Sequence, residues 1–339
     1  MTKTIPLGVL DQSPIRRGAT TGDAIRESLE LARACDRWGY HRYWVAEHHA
    51  SNGLAGSVPE ILITRIAAET KDMRVGSGGV MLNHYSPLKV AETFRMLETL
   101  YPGRIDLGLG RAPGSDQRTA AALQLSPDAA GADNFAPKLG MLLGYLDGTL
   151  PDNHPYARIR VMPEPAQQPE LWLLGSSDFS AAYAAHIGSA FCFAQFITGA
   201  GGEAVVRAYK EGFKPSHRLA KPLASVSTFV ICADTEEEAK RLAASRKLWL
   251  LNFFTGREQP YPSVEEALAY PYTEQEEELL RRSGRRSIVG NPDQVKAGLL
   301  ELAEVYAADE LSIVTICADF AARMRSYELI AKVFGLRAN

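Results

Sequence analysis

Tyr43-Trp44-Val45-Ala46-Glu47-His48-His49 is a short apolar strand that runs directly into a carboxylate and two adjacent imidazoles. Where strands and helices alternate around a closed barrel, the residues just past each strand's carboxyl end line a common mouth. Imidazoles at such a place titrate close to neutral pH. A second stretch, Arg74-Val75-Gly76-Ser77-Gly78-Gly79-Val80-Met81-Leu82, reads as another buried strand, yet it carries three glycines. Glycine inside a strand marks a bulge or a backbone that something approaches closely.

Outward from these stretches, short strand-like runs alternate with longer amphipathic helices, the signature of a parallel sheet with crossover helices. The spacing predicts strands at Ile5 to Leu10, Tyr43 to Ala46, Val75 to Leu82, Ile105 to Leu109, Glu170 to Leu174, Ala190 to Phe196, Ala224 to Cys232 and Glu310 to Ile316. Helices are predicted from Gly22 to Trp38, Val58 to Glu69, Pro87 to Leu100, Asn134 to Leu146, Phe179 to His186, Glu203 to Gly212, Thr235 to Leu251, Pro292 to Tyr306 and Phe320 to Phe334. In the first of these, Ile25, Leu29, Leu31, Ala32 and Cys35 recur near helical spacing. Pro59 stands in a first turn, where a missing amide is harmless, and Tyr101-Pro102-Gly103 punctuates the end of the third helix.

Eight strands interleaved with helices make an α/β fold, a (β/α)8 TIM barrel with insertions after strands 4 and 7, expected as one domain over residues 1–339. Residues 112–130 are rich in Ala, Gly, Asp and Pro and read as a long loop, and residues 150–170 hold five prolines and read as an excursion over the surface. Residues 252–286 mix aromatics, prolines and charges and read as a mobile, partly helical lid. A doubly wound open sheet shares the same alternation. The barrel is favoured because no Gly-x-Gly-x-x-Gly follows the first strand, and because the chemistry-bearing residues spread over the ends of strands one to five instead of gathering at one switch point.

Composition narrows the function classes. The 339 residues balance 37 basic against 40 acidic side chains, a formal net charge of -3, with no charge block beyond Glu236-Glu237-Glu238 and Glu276-Glu277-Glu278. Neither nucleic acid nor a membrane surface is an expected partner. The start has no apolar stretch of secretory length and no run of eighteen apolar residues occurs, so a soluble, cytoplasmic protein is expected. Cys35, Cys192, Cys232 and Cys317 lie far apart, without the paired spacing of a zinc site or a redox dithiol. His48-His49 is the only close imidazole pair, and adjacent residues point in divergent directions. No metal site is expected.

The order and spacing of several motifs together resemble the bacterial luciferase-like flavin monooxygenase family. They are Trp-x-x-Glu-His-His at 44–49, Gly-Gly-Val-Met-Leu-Asn-His-Tyr-Ser-Pro-Leu at 78–88, Ala91-Glu92, and Pro102-Gly103-Arg104-Ile105-Asp106-Leu107-Gly108-Leu109-Gly110-Arg111. Gly175-Ser176-Ser177-Asp178-Phe179-Ser180 and Val289-Gly290-Asn291-Pro292-Asp293-Gln294-Val295 extend the likeness over most of the chain, while 252–286 has no such anchor. The resemblance implies a barrel that binds reduced FMN transiently at its mouth and uses it to activate dioxygen, with a separate NAD(P)H-flavin reductase as partner. It also implies a homodimer packed through early barrel helices. A nicotinamide fingerprint is absent from the chain itself.

By the same resemblance, Gly78-Gly79 carries a non-prolyl cis peptide beneath the flavin ring; from the residues alone it reads as a glycine-rich bulge. His48 corresponds to the catalytic imidazole, with His49 in a structural part. Glu47 reads either as a residue of the substrate pocket or as a buried acid fixing backbone or a ring nitrogen. For the phosphate the resemblance points to Arg111, Gly175, Ser176, Ser177 and Ser180. Arginine presents a planar, charged fork and a helix start offers free amides, while serine at a helix start is equally an N-cap. Asn83 is expected at the flavin and His84 at the substrate, and Asp11-Gln12-Ser13 is expected to face the substrate pocket. Light-emitting members carry a reactive cysteine before the arginine, and here Gly110 stands there, so aldehyde-driven luminescence is not expected. The leading function is a monooxygenase of a small organic substrate. The alternatives are hydride transfer with the deazaflavin coenzyme F420, a non-catalytic flavin-binding protein, and a phosphate-handling aldolase or isomerase barrel. The last is weakened by the lack of a lysine or paired carboxylates at strand ends.

Overall fold

In the computed structural model, which describes residues 5–112, 114–123, 134–199, 201–257, 259–283 and 287–337, parallel strands close into a ring. The strands are β1 (Leu7–Asp11), β2 (Arg42–Val45), β3 (Arg74–Ser77), β4 (Val80–Met81), β5 (Ile105–Gly110), β6 (Glu170–Gly175), β7 (Ala190–Ala194), β8 (Ala224–Cys232), β9 (Ser287–Gly290) and β10 (Glu310–Val314). Pairing runs β1-β2-β3-β5-β6-β7-β8-β10 and returns from β10 to β1. The third stave is broken by Gly78 and Gly79: β3 pairs with β5 at Val75↔Ile105 and β4 resumes the pairing at Val80↔Leu109. The ring therefore has the eight staves of the expected (β/α)8 barrel. β9 pairs with the far half of β8, Phe229 to Cys232, and stands outside the ring; the sequence reading places no strand there.

The helices are α1 (Thr21–Trp38), α2 (Pro59–Glu69), α3 (Pro87–Leu100), α4 (Gln117–Leu123), α5 (Phe135–Asp147), α6 (Asp178–Ile187), α7 (Gly202–Glu211), α8 (Glu236–Phe254), α9 (Val264–Ala269), α10 (Glu274–Arg282), α11 (Pro292–Val305) and α12 (Phe320–Phe334). Local chemistry sets their ends. Thr20 and Asp23 form a reciprocal capping box at the start of α1, and Asn291 and Gln294 do the same for α11. α4 falls inside the stretch expected to be loop; Pro113 and residues 124–130 of that stretch lie outside the described residues. In the expected lid, α9 and α10 pack against α8 through Leu248, Leu251 and Ala267, and Glu258 and residues 284–286 lie outside the described residues. Tyr261 binds the loop after β1 through its main chain: its N–H donates to Ile15 O at 2.7 Å and its carbonyl accepts from Arg17 N–H at 2.9 Å. Among the described residues no helix is long and apolar enough to cross a membrane, and all four cysteines are free and buried.

Side chains alternate across each stave, so two cores form. Leu7, Val9, Tyr43, Leu107 and Leu109 face outward and pack under the helices. Leu10, Trp44, Trp172, Cys192 and Phe229 face inward and fill the ring. At the amino-terminal ends of the staves this filling becomes ionic. The fully buried Asp106 accepts from Arg42 Nη1 at 2.6 Å, Arg74 Nε at 2.7 Å and Trp44 Nε1 at 2.8 Å. Arg42 Nε also donates to Glu310 at 2.8 Å, and its guanidinium carbon lies 4.6 Å from the centre of the Trp172 ring. Burial works against the Arg42 charge, but Asp106, Glu310 and Glu170 outweigh it and hold the guanidinium above its ordinary range. Asp106→Ala removes the carboxylate that Arg42 and Arg74 share, leaves the Trp44 indole N–H unanswered inside the barrel, and is expected to cost roughly 3–5 kcal/mol in urea unfolding. A loss below about 1 kcal/mol would mean that the cluster does not hold the staves together.

Candidate functional site

At the carboxyl-terminal end of the staves lies a cavity of about 250 Å3. Leu10 and Gln12 enter it from β1, Ala46 and His48 from β2, Gly78, Gly79 and Met81 from the broken stave, and Arg111 from the end of β5. Gly175, Ser176, Ser177 and Ser180 close one side, and Cys192, Ala194, Phe196 and Ser227 the other.

The floor of the cavity is backbone. The Gly78–Gly79 peptide is cis, as the resemblance implies. A Cβ on Gly78 would sit 2.5 Å from Leu10 Cδ1, and one on Gly79 would sit 2.8 Å from Gly108 O, so no side chain fits at either position. A flat, side-chain-free surface results, where a planar group can lie directly against the main chain.

His48 stands at one end. Its N–H donates to Gly56 O at 2.7 Å, and its Nδ1 is buried with no hydrogen-bond partner among the described residues. Burial first, and His49 second, lower its pKa, which keeps the ring neutral at physiological pH. An unanswered polar atom in a buried position marks a place where a ligand or a proton is to be received.

Arg111 stands at the other end, its guanidinium carbon 4.4 Å from the centre of the Phe179 ring. Phe179 belongs to the first turn of α6, whose N-cap residue Ser177 has extended backbone but makes no side-chain cap. The Ser177 hydroxyl is thus not spent on capping, and of the two readings of this serine the structure disfavours the cap. Ser180 is buried, and a Cβ on Gly175 would approach its Oγ to 2.5 Å, so glycine is required for that hydroxyl to reach the cavity. A guanidinium, hydroxyls and a helix start converge here as they do around phosphates.

Five expected site residues take other places. Asp11 has the outward parity of Leu7 and Val9; fully buried, it meets Arg323 of α12 at 2.7 Å and the Tyr43 hydroxyl at 2.6 Å. Burial would raise its pKa, but Arg323, Ser28 and Tyr43 outweigh it and hold the carboxyl below its usual range. Its neighbour Ser13 is likewise buried against Ser28; of the three residues after β1, only Gln12 lines the cavity. Glu47 is fully buried and binds Met81 N–H, the Tyr85 hydroxyl and His49 Nε2, the fixing role that was the other reading of this residue. His84 is buried with its ring 5.8 Å from that of His49, away from the cavity. Asn83 supports the site from behind, donating from Nδ2 to Arg111 O at 3.3 Å.

Met81, Cys192, Phe196 and Ser227 line the cavity without having been singled out from sequence. The signal was available in the parity of the sixth stave, since Ala190, Cys192, Ala194 and Phe196 fall on one face of an alternating run.

Comparison with known proteins places this geometry. The family model described as luciferase-like monooxygenase matches residues 5–309. Uncharacterized protein YceB of Bacillus subtilis (strain 168) is 45% identical over 97% of this chain and 99% of its own length. N-acetyl-S-alkylcysteine monooxygenase of the same organism is 38% identical over 96% of this chain and 97% of its own. Among solved structures, apo-MsnO8 superposes with a TM-score of 0.90 at 40% identity, covering 98% of each chain. Two more distant structures share the fold. The oxygenating constituent of 3,6-diketocamphane monooxygenase of Pseudomonas putida in complex with FMN has a TM-score of 0.71 at 20% identity, over 97% of each chain. An F420-dependent secondary alcohol dehydrogenase in complex with an F420-acetone adduct has a TM-score of 0.70 at 13% identity, over 98% of this chain and 99% of that one. With the family match running through every stave but the last, and an imidazole facing a glycine floor at the barrel mouth, the chain belongs to the luciferase-like monooxygenase family.

Proposed function

We propose that this chain is a flavin-dependent monooxygenase that oxidises a small organic substrate with dioxygen, using reduced FMN bound transiently and delivered by a separate NAD(P)H-flavin reductase. The observation that carries the reading is the two-ended cavity: a side-chain-free glycine floor joins an anion-binding end at Arg111 to a neutral imidazole at His48. A planar ring with a phosphorylated tail needs that layout. Arg111, Ser176, Ser177, Ser180 and Gly175 would hold the phosphate, and Gly78–Gly79 would admit the ring. When bound, reduced FMN supplies the electrons for dioxygen activation. The chain's own work is to exclude water with Leu10, Ala46, Leu174 and Phe196, and to take up a proton at His48. Because a relative 38% identical is named for oxidising N-acetyl-S-alkylcysteine, thioethers are the first substrate class to screen. The rival reading, hydride transfer with F420, draws on a fold neighbour alone.

The same proposal includes one barrel domain with residues 252–286 as a lid, seated on the loop after β1 by Tyr261. It includes a cytoplasmic homodimer. Ile61, Met96, Leu100 and Met162 are 69%, 49%, 55% and 49% exposed and share a groove between α2 and α3, an apolar surface that a second copy would cover.

Three measurements test these statements. Fluorescence and anaerobic absorbance titration should find tighter binding of photoreduced than of oxidised FMN, weakened about tenfold or more in Arg111→Ala; binding of F420 in preference to either form would replace the flavin reading. The second concerns pH. The unfolded His48 takes its proton near pH 6.5 and the folded one only at about 4, so the stability it confers is complete above pH 6.5 and is lost as the pH falls toward 4. Unfolding free energy should therefore drop across that window, and His48→Asn should remove on the order of 3 kcal/mol of the drop. An unchanged pH profile in the variant would contradict the neutral imidazole. Third, light scattering should give a dimer for the native chain and a monomer for Ile61→Asp with Leu100→Asp; a dimer that survives both substitutions uses another face.

A further inference from the structure

A second cavity, of about 470 Å3, opens at the other end of the barrel and shares no residue with the one at the mouth. Glu98 near the end of α3, Gln168 just before β6, Ser189 just before β7 and Arg218 in the loop before β8 line it, and Arg74 and Glu170 join it to the ionic plug. Local sequence puts these groups there. α3 runs out at Tyr101-Pro102-Gly103, where Gly103 has a φ of 78° and donates its N–H to Glu98 Oε1 at 2.6 Å, which draws the carboxylate under the turn. Pro169 keeps Gln168 out of helical backbone on the way into β6. Gly188 ends α6 in left-handed backbone and sets Ser189 at the foot of β7, with its N–H donating to Ala184 O at 3.1 Å and its carbonyl accepting from the Tyr209 hydroxyl at 2.8 Å.

The wall is short of donors. Glu98 and Ser189 are each 1% exposed, and Glu98 Oε2, Ser189 Oγ and Gln168 Oε1 are buried with no hydrogen-bond partner among the described residues. An acceptor buried without a donor is costly, more so when it carries charge. The guanidiniums within reach are already committed. Arg74 donates to Asp106 Oδ1 at 2.7 Å, to Gly103 O at 2.6 Å and to Ile105 O at 3.1 Å, and Arg218 is paired with Asp147. Across the plug and this cavity together, the carboxylates of Asp106, Glu170, Glu310 and Glu98 face the guanidiniums of Arg42 and Arg74, so negative charge is in excess. His41, beside Glu310, does not make up the difference, because burial first and Arg42 second lower its pKa. Burial raises the Glu98 carboxyl, the response of an acid with no cation of its own.

We propose that this cavity is a binding site for a small organic cation carrying a primary ammonium group, with Glu98 Oε2, Ser189 Oγ and Gln168 Oε1 as its acceptors. An ammonium brings three donors and no acceptor, the complement of a wall whose unanswered atoms are oxygens. An anion would meet guanidiniums already engaged and an excess of carboxylate. A metal ion is a poorer match, since among the described residues no three His, Cys, Asp or Glu side chains are grouped to hold one. Leu171 and Ala190, both buried, give the ligand's hydrocarbon part an apolar strip to lie on. Because Arg74 is shared between this cavity and Asp106, a cation bound here answers charge at the edge of the plug and stabilises the barrel from its closed end. The inference makes no use of the flavin reading and stands or falls apart from it.

The experiment is isothermal titration calorimetry of the full chain near neutral pH, with butane-1,4-diammonium as the probe. Saturable binding of one probe per chain is expected, with a dissociation constant of about 1 mM or tighter. Tetramethylammonium carries the charge but no N–H, and is expected to bind at least about tenfold more weakly. Glu98→Gln keeps an acceptor for Gly103 N–H and loses the charge; it is expected to weaken the diammonium about tenfold or more. Ser189→Ala removes a hydroxyl that bonds nothing within the described chain, so the fold is kept, and is expected to weaken binding about threefold or more. No binding up to about 10 mM leaves the cavity to water and overturns the proposal. So does tetramethylammonium binding as tightly as the diammonium, inorganic phosphate binding in its place, or an affinity that Glu98→Gln leaves unchanged. If Glu98→Gln does not fold, Ser189→Ala decides the matter.

Discussion

Asp106, with no solvent exposure, accepts hydrogen bonds from Arg42, Arg74 and Trp44 at the closed end of the barrel, and the open end depends on it. A closed ring of staves must be filled, and it must be filled in one register, because a one-residue slip of any stave exchanges its inward and outward faces. Apolar filling tolerates such a slip better than charge does. Taking a guanidinium and a carboxylate out of water costs several kcal/mol each, and the cost is offset only when the partners meet in one geometry. The fan of bonds from Arg42 to Asp106, Glu170 and Glu310 spans β2, β5, β6 and β10, and so fixes four staves against one another. Parity set at that end is carried up each stave to the mouth, where it decides that Leu10 and Gln12 face the cavity and Asp11 does not.

The fold was legible because it is written in periods. Alternating strand and helix patterns, proline in first turns, and capping spacings such as Asn291 to Gln294 located eight staves and most helices to within a few residues. What escaped detection has no period of its own. β9 is four residues long and forms only because the far half of β8 offers it an edge. The ionic plug is assembled from single charged residues at stave starts, each of which reads locally as an ordinary polar strand end.

The mouth was legible in position but not in direction. Motif spacing found Arg111, His48, Gly78 and Gly79, since each is fixed by the backbone that precedes it. It misplaced Asp11 and His84, and for Glu47 it left the substrate pocket open beside the fixing role that is found; the two carboxylates turn to partners outside the cavity, Arg323 on the last helix and Tyr85 on the turn after the broken stave. A carboxylate next to an imidazole in sequence suggests a shared cleft. In three dimensions the two point apart, and the acid serves as a fastening behind the wall.

The attachment of the segment around Tyr261 carries a consequence of a different kind. It is held to the loop after β1 by main-chain bonds, Ile15 O to Tyr261 N–H and Arg17 N–H to Tyr261 O. Attachment of that sort is blind to side-chain identity. Those two bonds hold whatever side chains the segment carries, so its exposed residues are free to change in size and polarity while it stays seated, without any compensating change in the barrel. The segment can then drift in sequence over a scaffold that scarcely moves.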